Sequence, residues 1–535
     1  MKAENRPNGG NGLSMGSGRG QLVRNTLIVM TAAVLSRFLG VLRTSVFAYQ
    51  FGTGNLLEAY NAAFGVIDII YLLVMGGALG SSLIPVFTQF MTQQREEDAW
   101  NLVNTILHLA IGAAVFFSVV LFIFTSPIVR WVILPGETAS QQALTVDIIR
   151  ILLIQPIILG VCGVSMAILN SFKKFLLTSL GPLVYNISII IGALFFSSPN
   201  DISGLLGGVI AGAVAYLAVL LPGLIKTGFR YKPRISLKNP GVLRVFGLLG
   251  PRILGQTAFH VNIVALRAFA SFGGSVMVTT LEYSYRLFNL PLGLLGISIG
   301  TVSFPTLSVF ANREEWGSYG HTLKQVFRVV LFLAIPIAVG LFALRFEIIR
   351  ILYERGRFDP AATQVTAQFF MFFLIGLPLC CITEVAVRAF YSVQNTRIPV
   401  IVGILTVAVN VSLAFPVSRI LGFPYLALTF SITNSLEAIV LMALLNYKLK
   451  LNMWGEILKS VIRSVGASAV MFAALYSALQ FSEDILPTGG LLPLLGEILL
   501  FTLFGMAVYL GATRLFRSPE IAEASRMLKS KLKKK

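Results

Sequence analysis

Long apolar segments constrain the fold of this chain more than any other feature of its sequence. With about 20 residues as the length that crosses a bilayer, about fourteen segments qualify as membrane spans. We place them at 23–50, 57–90, 102–134, 144–169, 177–197, 203–225, 245–271, 277–310, 325–352, 363–391, 399–416, 423–446, 459–480 and 491–513. The sequence therefore predicts an all-α membrane protein that crosses the bilayer many times.

Composition and charge agree with this prediction. Hydrophobic residues make up 56% of the chain and charged residues only 12%, against about 25% in soluble domains. The net charge is +19, and the cations cluster in short loops and at the ends of the chain. Cytoplasmic loops of membrane proteins carry such an excess of Lys and Arg, so the charge does not predict a nucleic-acid partner. Both termini are predicted to be cytoplasmic. Arg355 and Arg357 are exceptions, because their loop is predicted to be outside.

The chain also contains an internal repeat. Arg37-Phe38-Leu39-Gly40 recurs as Arg252-Ile253-Leu254-Gly255, and Asn186-Ile187-Ser188 recurs as Asn410-Val411-Ser412. The offset is about 215 to 225 residues, which predicts two six-helix lobes of the same orientation with a substrate site between them. The predicted segments are a disordered tail (1–21), an N-lobe (22–225), a basic cytoplasmic linker (226–244), a C-lobe (245–450), two further helices (451–515) and a basic tail (516–535).

Two arginines in the first span are the strongest functional signal. An arginine at the bilayer centre costs at least about 2.5 to 3.5 kcal/mol, so intramembrane charges usually face a cavity. A guanidinium has five donors in a planar fork that suits phosphate or carboxylate groups. We therefore expect Arg37 and Arg43 to bind an anionic substrate, although either can instead extend to the headgroups. Ser36 and Gly40 share a helix face with Arg43.

The second span carries a polar stripe of its own, formed by Glu58, Asn61, Gly65 and Asp68. Acidic groups inside a membrane face a cavity or a basic partner, and Arg37 and Arg43 are the nearest candidates in sequence. We expect Glu58 and Asp68 to neutralise these arginines when no substrate is bound. The alternative is an ion pair that only locks neighbouring helices together.

The seventh and eighth spans of the chain, which are the first two of the C-lobe, also carry polar residues. Glu282 and Arg286 are spaced to pair along their own helix. If a neighbouring helix takes Glu282 instead, Arg286 becomes a third anion ligand from the opposite lobe. Gln256, His260, Asn262 and Arg267 give the seventh span a polar face.

Several stretches together resemble the lipid II flippases of the MurJ (MviN) family. They include Ser36-Arg37-Phe38-Leu39-Gly40 with Arg43, Asn170-Ser171-Phe172-Lys173-Lys174-Phe175, Glu282-Tyr283-Ser284-Tyr285-Arg286-Leu287 and Gly356-Arg357-Phe358-Asp359. The resemblance covers about residues 22 to 450 and implies a MOP-superfamily fold, similar to that of MATE exporters, with two C-terminal helices lining a groove for a polyprenyl tail. It implies that Arg37, Arg43 and Arg286 hold a pyrophosphate and that Glu58 and Asn186 occupy polar positions the family uses. The expected substrate-binding set is Arg37, Arg43, Arg286, Glu58, Asn186, Ser36, Asn61 and Asp68.

The resemblance also implies a function: transfer of lipid II, an undecaprenyl-pyrophosphate-linked glycopeptide, from the inner to the outer leaflet of the bacterial cytoplasmic membrane for peptidoglycan synthesis. This is transport by alternating access, not enzymatic chemistry. Membrane lipids and cell-wall synthesis enzymes are expected partners, and no cofactor, metal or sodium site is predicted. Alternatives are a flippase for another polyprenyl-linked glycan, a MATE-like drug exporter, or a transport-dead scaffold with a basic tail.

The first two spans each depart from the family pattern. Thr44 follows the second arginine where the family usually has an acid. On the second span, Tyr71 and Gly76-Gly77 replace a usual basic residue and a Glu-Gly pair, so one arginine of the usual cluster is missing.

Overall fold

The computed structural model describes the backbone of residues 15–75, 78–233, 235–483 and 490–520. Within these ranges it describes all side chains except those of 15–30, 33, 73–75, 78–81, 248–259 and 482–483. The remaining parts of the two predicted tails, the pair Gly76-Gly77, and Arg234 of the predicted linker lie outside the described residues.

The described residues fold into long helices joined by short connections. In chain order they are α1 (Met15–Phe51), α2 (Asn55–Met75), α3 (Ala78–Thr92), α4 (Glu96–Ile128), α5 (Ala139–Leu152), α6 (Ile154–Ser171), α7 (Phe175–Phe195), α8 (Ser203–Ile225), α9 (Pro240–Ala270), α10 (Ser275–Leu292), α11 (Ser298–Asn312), α12 (Trp316–Ala343), α13 (Arg345–Tyr353), α14 (Pro360–Ser392), α15 (Arg397–Leu421), α16 (Tyr425–Leu449), α17 (Trp454–Glu483) and α18 (Leu491–Leu515). Short π-helical turns follow α4 at Val129–Ile133 and α10 at Gly293–Ile297.

These helices match the predicted spans closely. Eleven helical segments of the described chain are long and apolar enough to cross a membrane, and each contains all or most of a predicted span. The other three predicted spans fall on α1, on α2 with α3, and on α9, which carry several of the predicted intramembrane charges. The all-helical membrane fold is therefore confirmed.

Helix ends and breaks are where structure and prediction differ. The predicted spans 144–169 and 325–352 each consist of two helices, with breaks at Leu153 and at Leu344, and the predicted span 57–90 falls on α2 and α3, on either side of Gly76-Gly77. Some helices also begin before their apolar segment. α9 starts at Pro240 because the Asn239 side chain accepts a hydrogen bond from the Gly241 amide (2.9 Å) and caps the helix. Hydropathy detects the apolar part of such a helix and misses its polar first turn.

The two halves make equivalent helix contacts, as the internal repeat predicts. In the first lobe α1 packs against α7, α7 against α8, α6 against α8, and α3 against α6. In the second lobe α9 packs against α15, α15 against α16, α14 against α16, and α11 against α14. The lobes meet where α2 contacts α9 and α10, and where α3 contacts α9. Outside the two lobes, α17 packs on α12 and α18 packs on α17.

The two ends of the helical bundle are referred to below by their loops. The linker end contains residues 226–239, whose backbone bonds to Asn104 and Thr105 on α4. The far end contains the connections 52–54, 134–138, 196–202, 271–274 and 354–359. The predicted orientation places the linker end in the cytoplasm and the far end outside.

Candidate functional site

A cavity of about 770 Å³ lies between the lobes. Helices α1, α2, α6, α7 and α8 line it from the first lobe, and α9, α10 and Tyr353 of α13 line it from the second. Its polar lining side chains are Arg37, Arg43, Thr44, Asn61, Asp68, Tyr71, Gln155, Tyr185, Tyr216, His260, Arg267, Glu282, Tyr285, Arg286, Asn289 and Tyr353. Polar groups from both lobes therefore face one space inside the membrane.

Helix α1 brings two predicted arginines to this cavity. Arg37 is exposed, and its Nη2 lies 3.5 Å from the carbonyl oxygen of Gly293, in the π-helical turn after α10. Arg43 is half-buried, with its guanidinium 6.0 Å from the centre of the Phe47 ring. The Nε of Arg43 is buried and has no hydrogen-bond partner among the described residues. A buried donor without a partner is costly, so Arg43 is poised to bind an acceptor.

Glu282 organises the basic groups of the second lobe. Its Oε1 accepts from Nε of Arg286 at 3.0 Å, which is the predicted pairing along α10. Its Oε2 accepts from Nε of Arg267 on α9 at 2.9 Å and lies 2.7 Å from Nη2 of the same arginine. Arg286 also reaches across the lobe boundary, where its Nη2 donates to Oδ1 of Asn61 at 3.3 Å. One carboxylate is therefore shared by two arginines.

The charges that line the cavity favour an anion. Arg37, Arg43, Arg267 and Arg286 outnumber the carboxylates Asp68 and Glu282 by two, and low dielectric strengthens their attraction for a negative ligand. Among the described residues, no group of three or more His, Cys, Asp or Glu side chains could hold a metal ion.

Five of the eight predicted site residues line the cavity: Arg37, Arg43, Asn61, Asp68 and Arg286. The other three lie outside its lining. Asn186 is buried and donates to the Pro182 carbonyl on its own helix at 2.8 Å. Ser36 lies one residue before Arg37, on a part of α1 that does not line the cavity.

Glu58 lies apart from both α1 arginines as well. It is fully buried in the first turn of α2, where its Oε2 accepts from Nε2 of Gln141 at 2.7 Å. Its carboxyl group also faces that of Glu137. Glu58 thus ties α2 to α5 at the far end, whereas Glu282 is the carboxylate paired with cavity arginines.

The predicted site lacks two side chains of the lining. Arg267 lies on the predicted polar face of the seventh span but outside the expected substrate-binding set; its signal is again an intramembrane charge. Gln155 gave a weaker signal, since it is one amide in an apolar helix. Its Nε2 donates to the Tyr185 hydroxyl at 2.7 Å, which joins α6 to α7 at the cavity wall.

Hydrogen bonds join the lobes at the far end, and the one made by Tyr283 is buried. The Tyr283 hydroxyl donates to the carbonyl oxygen of Gly52 at 3.0 Å. The backbone N–H of Arg357 donates to the carbonyl oxygen of Tyr49 at 3.1 Å. Nη1 of Arg357 also donates to the Pro199 carbonyl at 2.8 Å. These bonds give Arg357 a structural role across the lobe boundary, although it was an exception to the charge pattern.

At the linker end α3 packs against α9, and Nη1 of Arg244 on α9 donates to Oε1 of Gln89 on α3 at 2.7 Å. Both ends of the lobe boundary therefore carry contacts between the lobes.

Comparison with known proteins places this chain in a family. A family model described as lipid II flippase MurJ matches residues 47–495. A probable lipid II flippase MurJ of Bdellovibrio bacteriovorus is 29% identical over 516 residues, covering 93% of this chain and 97% of the relative. Another from Rhizobium tropici is 27% identical over 524 residues, covering 95% and 97%.

Solved structures agree on the fold. One described as lipid II flippase MurJ in an inward closed conformation superposes with a TM-score of 0.76 at 23% identity, covering 92% of this chain and all of that one. An inward-facing multidrug-resistance MATE transporter of the MOP superfamily gives a TM-score of 0.63 at 15% identity, covering 79% and 98%. Since the family model matches most of the chain, this protein belongs to the MurJ family of lipid II flippases.

Proposed function

We propose that this protein moves lipid II, a polyprenyl-diphosphate-linked glycopeptide, from the inner to the outer leaflet of the bacterial cytoplasmic membrane. The relatives named above are lipid II flippases by description, and the chain covers nearly all of their length. The proposal rests chiefly on one observation: arginines of both lobes face one cavity, and the buried Nε of Arg43 has no partner among the described residues.

The diphosphate is the group that these arginines recognise. Arg37 and Arg43 approach it from α1, and Arg286 approaches it from α10 in the opposite lobe. Guanidinium groups bind phosphate oxygens through short, charge-assisted and often bidentate bonds. A ligand that touches both lobes also stabilises the state in which the lobes lie close around it, which couples binding to conformation.

The hydrogen bonds between the lobes at the far end bear on the direction of transport. With both termini in the cytoplasm, the far end faces outward, and a far end sealed by these bonds is a state that loads substrate from the inner leaflet. Rocking of the lobes breaks the contacts of Tyr283 and Arg357 and opens the cavity outward. The apolar groove helices α17 and α18 accommodate the polyprenyl tail, and cell-wall synthesis enzymes use the flipped product.

The test combines binding with growth. Purified full-length protein is titrated with lipid II in native mass spectrometry, and the same variants are tested for complementation of a strain depleted of its own flippase. Arg37→Ala and Arg43→Ala should each weaken lipid II binding about 10- to 150-fold, which corresponds to about 1.5 to 3 kcal/mol for a lost charged hydrogen bond. Both should also abolish complementation. Arg43→Lys should rescue only partly, because an ammonium lacks the planar fork.

The matched control is Arg150→Ala, which removes an exposed helical arginine outside the cavity lining. Wild-type complementation by Arg37→Ala and Arg43→Ala would refute the site. A drug exporter on this fold would tolerate loss of these arginines. A scaffold would instead lose its function when residues 521–535 are deleted and would keep it without Arg43.

A further inference from the structure

Arg267 is the least expected charge in the cavity. It extends from α9 toward the other lobe, and its guanidinium lies against Gly65 of α2. A methyl group at position 65 would occupy the space that Nη1 of Arg267 fills. The absence of a side chain at Gly65 therefore gives Arg267 its place beside the first lobe. Both residues line the cavity.

This placement matters because no α2 residue that lines the cavity is a cation, and Tyr71 of α2 lines the same cavity. Arg267 brings a positive charge against α2 from the opposite lobe. The cavity then receives two arginines from α1 of the first lobe and two from α9 and α10 of the second.

Glu282 holds both arginines of the second lobe at once. Its two oxygens each accept from a different arginine, at 3.0 Å from Arg286 and 2.7 Å from Arg267, and its side chain is only 7% exposed. A carboxylate bound by two guanidinium groups presents the same kind of acceptor oxygens as a phosphate. A bound diphosphate can therefore take over the donors that Glu282 now occupies.

We propose that Arg267 is a further ligand of the substrate's diphosphate and that Glu282 is an internal substitute for this anion in the empty cavity. The proposal rests on the proposed function and specifies its site. Glu282 keeps Arg267 and Arg286 in place at low electrostatic cost. The diphosphate of the substrate then displaces the Glu282 carboxylate from their guanidinium groups. The diphosphate is then bound by two arginines of each lobe.

The competing explanation is that Arg267 only neutralises Glu282. Buried ion pairs are common without any role in binding, and breaking one by removing a single partner is destabilising. Single substitutions of Arg267 therefore cannot separate the two explanations. Comparing Glu282→Gln with Arg267→Gln/Glu282→Gln can, because Arg286 has lost its Glu282 partner equally in both variants and only Arg267 differs between them.

The experiment measures binding of undecaprenyl diphosphate to full-length protein by native mass spectrometry, with undecaprenol as the phosphate-free control. We expect Glu282→Gln to bind the diphosphate at least as tightly as wild type. We expect Arg267→Gln/Glu282→Gln to bind it about tenfold or more weakly than Glu282→Gln, the effect of one charged donor. The matched control Arg388→Gln/Glu384→Gln removes another intramembrane ion pair, outside the cavity lining, and should bind as wild type does.

Equal binding by Glu282→Gln and the Arg267→Gln/Glu282→Gln double variant would overturn the assignment of Arg267, and weaker binding by Glu282→Gln would overturn the role of Glu282. Should the double variant fail to fold, Gly65→Ala provides the second test. It displaces Arg267 without removing charge, so it should also weaken binding, and unchanged binding would refute the proposal. Wild-type protein that binds undecaprenol and undecaprenyl diphosphate equally would overturn the proposed function itself.

Discussion

A single methyl group at Gly52 should shift the protein away from the state with a sealed far end. Gly52 follows α1 with φ at +61°, and a Cβ built there would lie 2.5 Å from the carbonyl oxygen of Arg357 and 2.9 Å from its carbonyl carbon. These are backbone atoms, which cannot turn aside as a flexible side chain can. Gly52→Ala therefore forces the two lobes apart at this point.

The size of the effect follows from two separate costs. Holding alanine in the left-handed region costs about 1 to 2 kcal/mol, but this applies to every state in which the turn keeps its shape. Overpacking against Arg357 costs about 1 to 3 kcal/mol and exists only while the far end is sealed. The sealed state should thus lose about 5- to 150-fold in population relative to the open state. The Tyr283 bond to the Gly52 carbonyl is disturbed at the same time.

The assay is a distance measurement between spin labels across the far end, on a cysteine-free background. Asn200 lies on the first lobe and Arg355 on the second, and both are exposed. Gly52→Ala should increase the population of long distances. The matched control is Gly54→Ala in the same turn, where an added Cβ would meet only the Phe51 carbonyl oxygen at 3.4 Å. Identical distance distributions for Gly52→Ala and wild type would refute the steric argument.

Two further predictions concern stability. Burial alone would raise the pKa of Glu520, but hydrogen bonds from its own amide, Ser460 and Ser518, together with Arg328, hold this pKa below its ordinary value. Its stabilising effect is then complete above the unfolded-state pKa and lost as the pH falls through the folded-state value. Glu520→Gln should therefore lower the thermal unfolding temperature at pH 7 and have a smaller effect as the pH falls below the ordinary glutamate pKa; an equal loss at every pH would contradict this. Asn410→Ala should cost about 1 to 3 kcal/mol, because Nδ2 of the fully buried Asn410 donates to Oδ1 of Asn262 at 2.5 Å, and an unchanged unfolding temperature would contradict it.

The membrane fold could be predicted from the sequence almost completely. Apolar length determines where a chain can cross a bilayer, because every backbone polar group must be satisfied within its own helix there. The repeat of Asn186 at Asn410 similarly indicated two related lobes. The intramembrane cost of charge marked Arg37 and Arg43 as functional candidates, and both face the cavity. Each of these inferences depends only on the residues of a single helix and on whether the bilayer or water surrounds them.

Partnerships between helices could not be predicted in this way. Helical periodicity put Glu58 and Asp68 on one stripe of α2, yet only Asp68 lines the cavity, while Glu58 binds Gln141 of α5. Sequence spacing did predict the bond between Glu282 and Arg286, because it lies within one helix. Spacing carries no information on the approach of Arg267, which depends on how α9 crosses α2.

The sequence by itself thus determined that this is a two-lobed helical membrane protein with arginines at membrane depth. The tertiary structure alone decided which partners these side chains meet: Arg267 with Glu282, Arg286 with Asn61, and Arg357 with the Pro199 carbonyl. The physical reason is that hydropathy and helical period describe a residue's depth and direction on its own helix. The distance between two side chains also depends on the rotation and crossing angle of both helices, which packing over their whole length determines.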